Sequence, residues 1–494
     1  MKTKSRRDFL RAVAAGSIAA TVSGCASLSS RTSGQSRPNI VYIIADDLGY
    51  GDLGCYGQKD IRTPNLDRMA REGMLFTQHY SGSTVCAPSR SCLMTGLHTG
   101  HTPVRGNKEY QPEGQHPLPA ESVTVAEVLK KAGYATGAFG KWGLGYPGSE
   151  GDPNNQGFDE FYGYNCQRYA HNYYPYFLRH NGKKVILVGN EGKKTGQYGP
   201  DLIQKQTLKF IEANKDRPFF LFVPHVIPHA ELFVPEDDIV RSYRGTFPEK
   251  PYKGIDDGPN YKIGGYGSVE TPRANFAAMV TRLDRHVGEI LAKLRELDLD
   301  KNTLVIFTSD NGPHGEGGAN PAYFNSGGGL RGMKRDLYEG GIRVPMIAKW
   351  PGQIEAGSRS DHVSAFWDVM PTLAELAGAE VPADIDGISF APTLLGRSRK
   401  QKKHDYLYWE FHEQGGRQAV RKGRWKAVRL QVERDPNGPL ELYDLQADPQ
   451  EKDNIASEHP DIVGRMAQIM AEAHTDSDVF LFGQSQYRGD RRQE

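Results

Sequence analysis

Apolar residues in this chain gather in short β-branched runs, and between the runs apolar positions recur at helical spacing. Asn39 to Ala45, Phe219 to Val223 and Leu304 to Thr308 are continuous apolar runs, the pattern of strands buried on both faces. Helical periodicity predicts helices over Pro64 to Glu72, Val123 to Lys131, Asp201 to Asn214 and Arg273 to Leu297. Alternation of the two patterns predicts an α/β domain with a largely parallel central sheet, whose strand C-termini collect the chemistry. The texture changes near residue 400. A basic linker, Gly396 to Lys403, precedes predicted antiparallel strands at Tyr406 to Trp409, Ala419 to Leu430 and Leu440 to Leu445, then a helix at Pro460 to Ala473. The folded chain is thus read as a main domain over 38–396 and a smaller C-terminal α+β domain over 397–494.

The first 25 residues read as an address. Ser5-Arg6-Arg7-Asp8-Phe9-Leu10 followed by the weakly apolar Ala12 to Val22 resembles a twin-arginine export signal. Val22-Ser23-Gly24-Cys25 resembles a bacterial lipobox, which implies a membrane anchor through lipidated Cys25; an ordinary small-residue cleavage site is the rival reading. The expected location is the periplasm or cell surface. Residues 26–37 are Ser-rich and polar, as a flexible tether would be. No later stretch has the run of about 18 apolar residues that a spanning helix needs.

Composition narrows the function classes. Of the 494 residues, 38% are hydrophobic and 24% charged, with Lys+Arg 61 against Asp+Glu 60 and a net charge of +1. Disordered, collagen-like and coiled-coil proteins are excluded, and without a basic excess no nucleic-acid partner is expected. Loss of residues 1–24 removes five basic residues and one acidic residue, taking the charge from +1 to −3. Five cysteines are too few and too scattered for a disulfide scaffold.

Two acidic groups, Asp46-Asp47 and Asp310-Asn311, each follow a predicted strand, where a parallel sheet would bring them to one rim. Adjacent carboxylates repel unless a cation sits between them, and oxygen-only donors suit Ca²⁺ or Mg²⁺ better than zinc. A helix starting near Pro88 would set Arg90 one turn beyond Cys86, with the positive helix N-terminus beside both, which makes an anion pocket. Cys86 taken alone would read as a buried structural thiol.

Cys86-Ala87-Pro88-Ser89-Arg90, continuing to Thr95-Gly96, resembles the sulfatase motif whose cysteine is oxidised to formylglycine. The resemblance runs from about Pro38 to about Ala473 and implies an alkaline-phosphatase-like α/β fold and hydrolysis of a sulfate ester. It implies a formylglycine nucleophile at 86, supplied by a formylglycine-generating enzyme. It also implies one calcium ion held by Asp46, Asp47, Asp310 and Asn311 together with the modified Cys86. Gly133 to Gly143 resembles a second family motif, in which Lys141 would bind a sulfate oxygen. His229 matches the histidine beside the leaving-group oxygen, and Lys334 would be a second cation on the sulfuryl group or the proton donor. The Gly-rich stretch before Lys334 offers His314 and Glu316 as rim contacts.

The family commonly has histidine where this chain has Gly143. His171 is the candidate substitute base, from an aromatic loop, Tyr162 to Tyr176, that reads equally as a sugar or aryl-ring subsite and as a packed edge loop. The expected substrate is a sulfated carbohydrate or an aryl sulfate. Two alternatives stay open: a phosphomonoester or phosphonate hydrolase of the same superfamily, and a carbohydrate-binding protein on an inactive sulfatase scaffold.

Overall fold

The computed structural model describes residues 37–255, 266–483 and, for the backbone, 488–491. The export signal, lipobox and most of the tether lie outside the described residues. The apolar runs form the centre of an 11-stranded sheet. Its five middle strands are parallel, in the order Thr303–Ser309, Asn39–Ala45, Phe219–Pro224, Ala135–Lys141 and Glu160–Tyr164. Arg343–Lys349 and Met74–Tyr80 extend one side, and Phe177–His180 and Lys183–Ile186 the other. Each of these flanking strands is antiparallel to the strand before it.

Burial on both faces follows from the residue alternation within one strand. Val41, Ile43 and Ala45 enter the core shared with helices Pro64–Arg71, Gly199–Ala213 and Pro272–Glu296. Ile40, Tyr42 and Ile44 enter the opposite core, with helices Val125–Lys131 and Val369–Ala377. The α/β expectation and the largely parallel sheet are both met.

The C-terminal residues form a four-stranded antiparallel sheet, Leu407–Phe411, Arg417–Lys422, Trp425–Leu430 and Leu440–Asp444. The single strand expected over Ala419 to Leu430 is therefore two, because Gly423 turns the chain at a φ of 59°. Helix Pro460–Glu472 covers one face through Met466, Ile469 and Met470. Trp409, Phe411 and Val428 pack with Tyr80, Cys92 and Trp367 of the main body.

A buried ion cluster joins the same two layers. Lys426 Nζ sits 3.0 Å from Glu339 and 2.9 Å from Glu451, with all three side chains sealed from solvent. Glu339 also accepts from Tyr80 and faces Arg343 at 3.4 Å. Lys426→Met should leave two buried carboxylates facing each other and cost about 3–5 kcal/mol of stability. Urea unfolding should show the deficit shrinking as pH falls, because the uncompensated carboxylates then take up protons.

Candidate active site

The parallel register brings the acidic groups together. Ala45 pairs with Ser309, so Asp46-Asp47 and Asp310-Asn311 leave adjacent strands side by side. Asp47 has a φ of 64°, a left-handed conformation that aspartate tolerates better than most residues. That turn aims its backbone N–H at Asp310 Oδ1, 3.1 Å away. Lys141 ends the strand Ala135–Lys141, which lies two strands from Asn39–Ala45 on the same rim.

Cys86 is the first residue of helix Cys86–Thr95, so the helix starts two residues earlier than Pro88 alone suggests. Its thiol is buried, 3.3 Å from Asp46 Oδ1 and 3.5 Å from Lys141 Nζ. Arg90, one turn on, donates to Asp310 Oδ2 from Nη2 at 2.8 Å and from Nε at 3.2 Å. It also donates to the Lys141 carbonyl. The shared face expected for Cys86 and Arg90 is present.

Two lysine–aspartate pairs frame the thiol. Lys141 Nζ lies 2.7 Å from Asp46 Oδ2, and Lys334 Nζ lies 2.7 Å from Asp47 Oδ2 and 3.1 Å from Glu316. Burial alone would raise the Asp46 and Asp47 carboxyls, but Lys141 beside one and Lys334 beside the other hold both below the usual range. Asp310 goes the other way, pushed up to about 7 by burial and by the Asp46 charge, which Arg90 only partly offsets. Burial and Asp46 likewise push the Cys86 thiol well above its ordinary value.

His229 accepts from Lys334 Nζ at Nε2, 2.9 Å away, while Nδ1 donates to the Ala230 carbonyl; these partners assign the tautomer. Burial and the Lys334 charge lower it to about 4, so the imidazole is neutral and the proton of this pair sits on lysine. His171 stacks on His229 with ring centroids 4.7 Å apart. Burial and His229 hold His171 well below its ordinary value, and its Nδ1 is buried without a partner.

A cavity of about 310 Å³ opens over this group, lined by Cys86, His171, His229, Glu316, Lys334 and, among others, Gln167. Of the aromatic loop, Tyr162, Tyr164, Tyr173 and Tyr174 are core residues, and only Gln167, Arg168 and His171 reach the cavity. Tyr173 instead donates to the Val226 and His229 carbonyls, fixing the segment that carries His229. His314 stacks behind His229, and Glu316 is a direct partner of Lys334. His225 packs below the site against His286.

Gln167 was not legible as a site residue. A Cβ on Gly143 would lie 2.7 Å from Gln167 Nε2, so the carboxamide occupies the space a side chain at 143 would need. Its Nε2 is buried and has no partner. The only sequence signal was the missing side chain at 143, which does not say what fills the gap.

Three oxygen-bearing acids and an amide meet the demands of a hard cation. Asn311 Oδ1 is buried with no hydrogen-bond partner, while its Nδ2 donates to Asp47 Oδ1 at 2.7 Å. An orphaned carbonyl oxygen beside carboxylates is a ligand position, since burying it unpaired is costly. Ligand atoms of Asp46, Asp47, Cys86 and His229 lie within 4.8 Å of one another.

A cysteine at a helix start among three cations, beside oxygen donors at the rim of a parallel sheet, is an arrangement suited to hydrolysis of anionic esters. Residues 38–379 match the sulfatase family, and residues 332–476 match the C-terminal part of N-sulphoglucosamine sulphohydrolase. Human arylsulfatase A is 33% identical over 91% of this chain and 90% of its own length. The N-acetylgalactosamine-6-O-sulfatase of Bacteroides thetaiotaomicron is 31% identical over 92% of this chain and 97% of its own. The solved structure of Ps i-CgsB in complex with k-i-k-neocarrahexaose superposes with a TM-score of 0.74 at 28% identity, covering 91% of this chain and 96% of that one. The chain belongs to the sulfatase family and is a sulfuric ester hydrolase.

Proposed function

We propose that this enzyme removes sulfate from a sulfated carbohydrate, with formylglycine formed from Cys86 as nucleophile and one calcium ion. The observation that carries the reading is Cys86 itself, at a helix start, with Lys141 at 3.5 Å and Arg90 tied to Asp310. A relative named as an N-acetylgalactosamine-6-O-sulfatase and a solved structure in complex with k-i-k-neocarrahexaose support the substrate class. The twin-arginine pair Arg6-Arg7 and the lipobox-like Val22 to Cys25 support export to the periplasm or cell surface, with lipidated Cys25 as an anchor.

Asp46, Asp47, Asp310 and Asn311 would hold the calcium, which supplies positive charge to the oxygen at position 86 and to the sulfuryl group. Lys141 and Lys334 are placed to neutralise sulfuryl oxygens as charge develops. Lys334 holds the proton that a leaving alkoxide needs, with neutral His229 orienting it. Gln167 Nε2 offers a neutral donor to the cavity. An amide cannot take up a proton, and the base for the second half of the reaction is assigned to His171, which lines the cavity with its Nδ1 unpaired. His171→Ala should release the leaving alcohol in a burst and then sulfate slowly, with kcat down about 10²-fold. Quench-flow of both products checks this. A raised KM with unchanged kcat and no burst would make His171 a substrate contact.

Peptide mass spectrometry of the Cys86 segment, alongside sulfate release from sulfated oligosaccharides and from matched aryl sulfate and aryl phosphate, tests the proposal as a whole. Faster turnover of the phosphate would move the assignment to phosphoester hydrolysis.

A further inference from the structure

The basic linker has no place in the chemistry above. Arg397, Arg399, Lys400, Lys402 and Lys403 put five cations into seven positions with no acid among them, in a chain whose net charge is only +1. All five are exposed, and among the described residues no carboxylate forms an ion pair with any of them. A charge run of this kind is ordinarily a solvated face. Here, however, the run borders a concavity.

A cavity of about 700 Å³ opens beside the linker, more than twice the volume of the catalytic one at about 310 Å³, and the two share no lining residue. Lys403, Arg421, His362 and His404 line it, and Asp361 is the only carboxylate in the lining. Arg421 is anchored rather than free, since it donates to Tyr80 and to Gln78. His404 is fixed by Asp368 at 2.7 Å. The remaining polar lining is hydroxyl and carboxamide, from Ser360, Thr393, Ser398, Gln401 and Gln446.

We propose that this cavity and the Arg397–Lys403 rim form a second binding site for a sulfated polysaccharide, remote from the scission chemistry. The site rests on the reading of a sulfated carbohydrate as substrate, and would hold a stretch of the same polymer that the catalytic cavity does not contain. Exposed cations supply attraction to the sulfates, while hydroxyls and amides suit the sugar hydroxyls. Concavity argues against a bilayer, which presents a broad surface. Single-stranded nucleic acid sites use several stacking rings, whereas Tyr406 is the one Phe, Tyr or Trp in this lining and the His404 ring is held by Asp368.

The test is fluorescence anisotropy with labelled chondroitin sulfate and its desulfated counterpart, at about 0.15 M salt, where the screening length is about 8 Å. It uses full-length Cys86→Ala protein, so that binding is read whether or not the polymer is cleaved. Replacing Arg397, Arg399, Lys400, Lys402 and Lys403 together by alanine should weaken binding of the sulfated polymer at least about ten-fold, equivalent to about 1.4 kcal/mol. A charge-preserving exchange of the same Arg and Lys residues should keep the affinity, and both variants should melt with the parent. Unchanged affinity in the alanine variant overturns the proposal. So does equal binding of the desulfated polymer, or preference for anionic lipid vesicles or oligonucleotides. Failure of the substrate reading looks different: the polymer binds and the alanine variant loses it, yet the unsubstituted enzyme releases no sulfate from it.

Discussion

Cys86→Ala is expected to lower sulfate release by at least about 10⁴-fold while leaving the fold intact. The loss should be near total because position 86, set between Asp46 and Lys141, is the one proposed to carry the nucleophile. The fold should survive because removal of Sγ leaves Lys141 and Asp46 still paired with each other at 2.7 Å. The same site says why an unmodified thiol would serve badly: burial and the Asp46 charge keep it protonated at neutral pH, and a thiol is a weaker nucleophile than a thiolate. Cys86→Ser should be equally inactive in a host whose modifying machinery accepts only cysteine. Fully active enzyme carrying an unmodified thiol in its peptide mass spectrum would overturn the nucleophile assignment.

Asp310→Asn is expected to remove the response to calcium. In the unsubstituted enzyme a chelator should abolish turnover and Ca²⁺ restore it, and Ca²⁺ at about 100 times its dissociation constant should add about 2.7 kcal/mol to folding stability. Asparagine keeps an oxygen able to accept from Asp47 N–H but removes the charge that offsets cation dehydration. It also weakens the hold on Arg90, which then keeps the Lys141 carbonyl and, as its charged partner, Asp46 at 3.7 Å. Thermal melting with and without Ca²⁺ reads the binding independently of turnover. Stoichiometric zinc without calcium in active protein would contradict the metal assignment.

The strands Asn39–Ala45 and Thr303–Ser309 that seat the acidic groups, and Phe219–Pro224 beside them, were readable because each is an unbroken apolar run. Ala135–Lys141 was not, because Gly137 and Gly140 dilute its pattern. Their smallness has a tertiary cause: a Cβ on Gly140 would fall 1.9 Å from the Pro224 carbonyl of the neighbouring strand. Arg343–Lys349 opens with an arginine and a proline two places on, which broke the strand signal. At the site, Asp46-Asp47 and Asp310-Asn311 were legible from their position after strands. Lys141 and Lys334 entered only through the family resemblance, and their pairing with Asp46 and Asp47 was not legible, since the partners lie 95 and 287 residues apart. Glu339, Lys426 and Glu451 escaped notice for the same reason, being unremarkable as isolated charges.

Gly143 and Gln167 constrain each other across 24 positions of sequence. With glutamine at 167 placed as it is, a Cβ at 143 would meet its Nε2 at 2.7 Å and its Cγ at 2.9 Å, so a side chain there requires Gln167 to move, and glycine is further favoured by a φ of 80°. Exchange of either residue alone disturbs the packing: a larger residue at 143 displaces Gln167, and a smaller one at 167 leaves a gap in the cavity wall shared with Cys86. Any lineage or engineer moving between the two arrangements has to cross a poorly packed intermediate, so the pair should be inherited and altered as a unit.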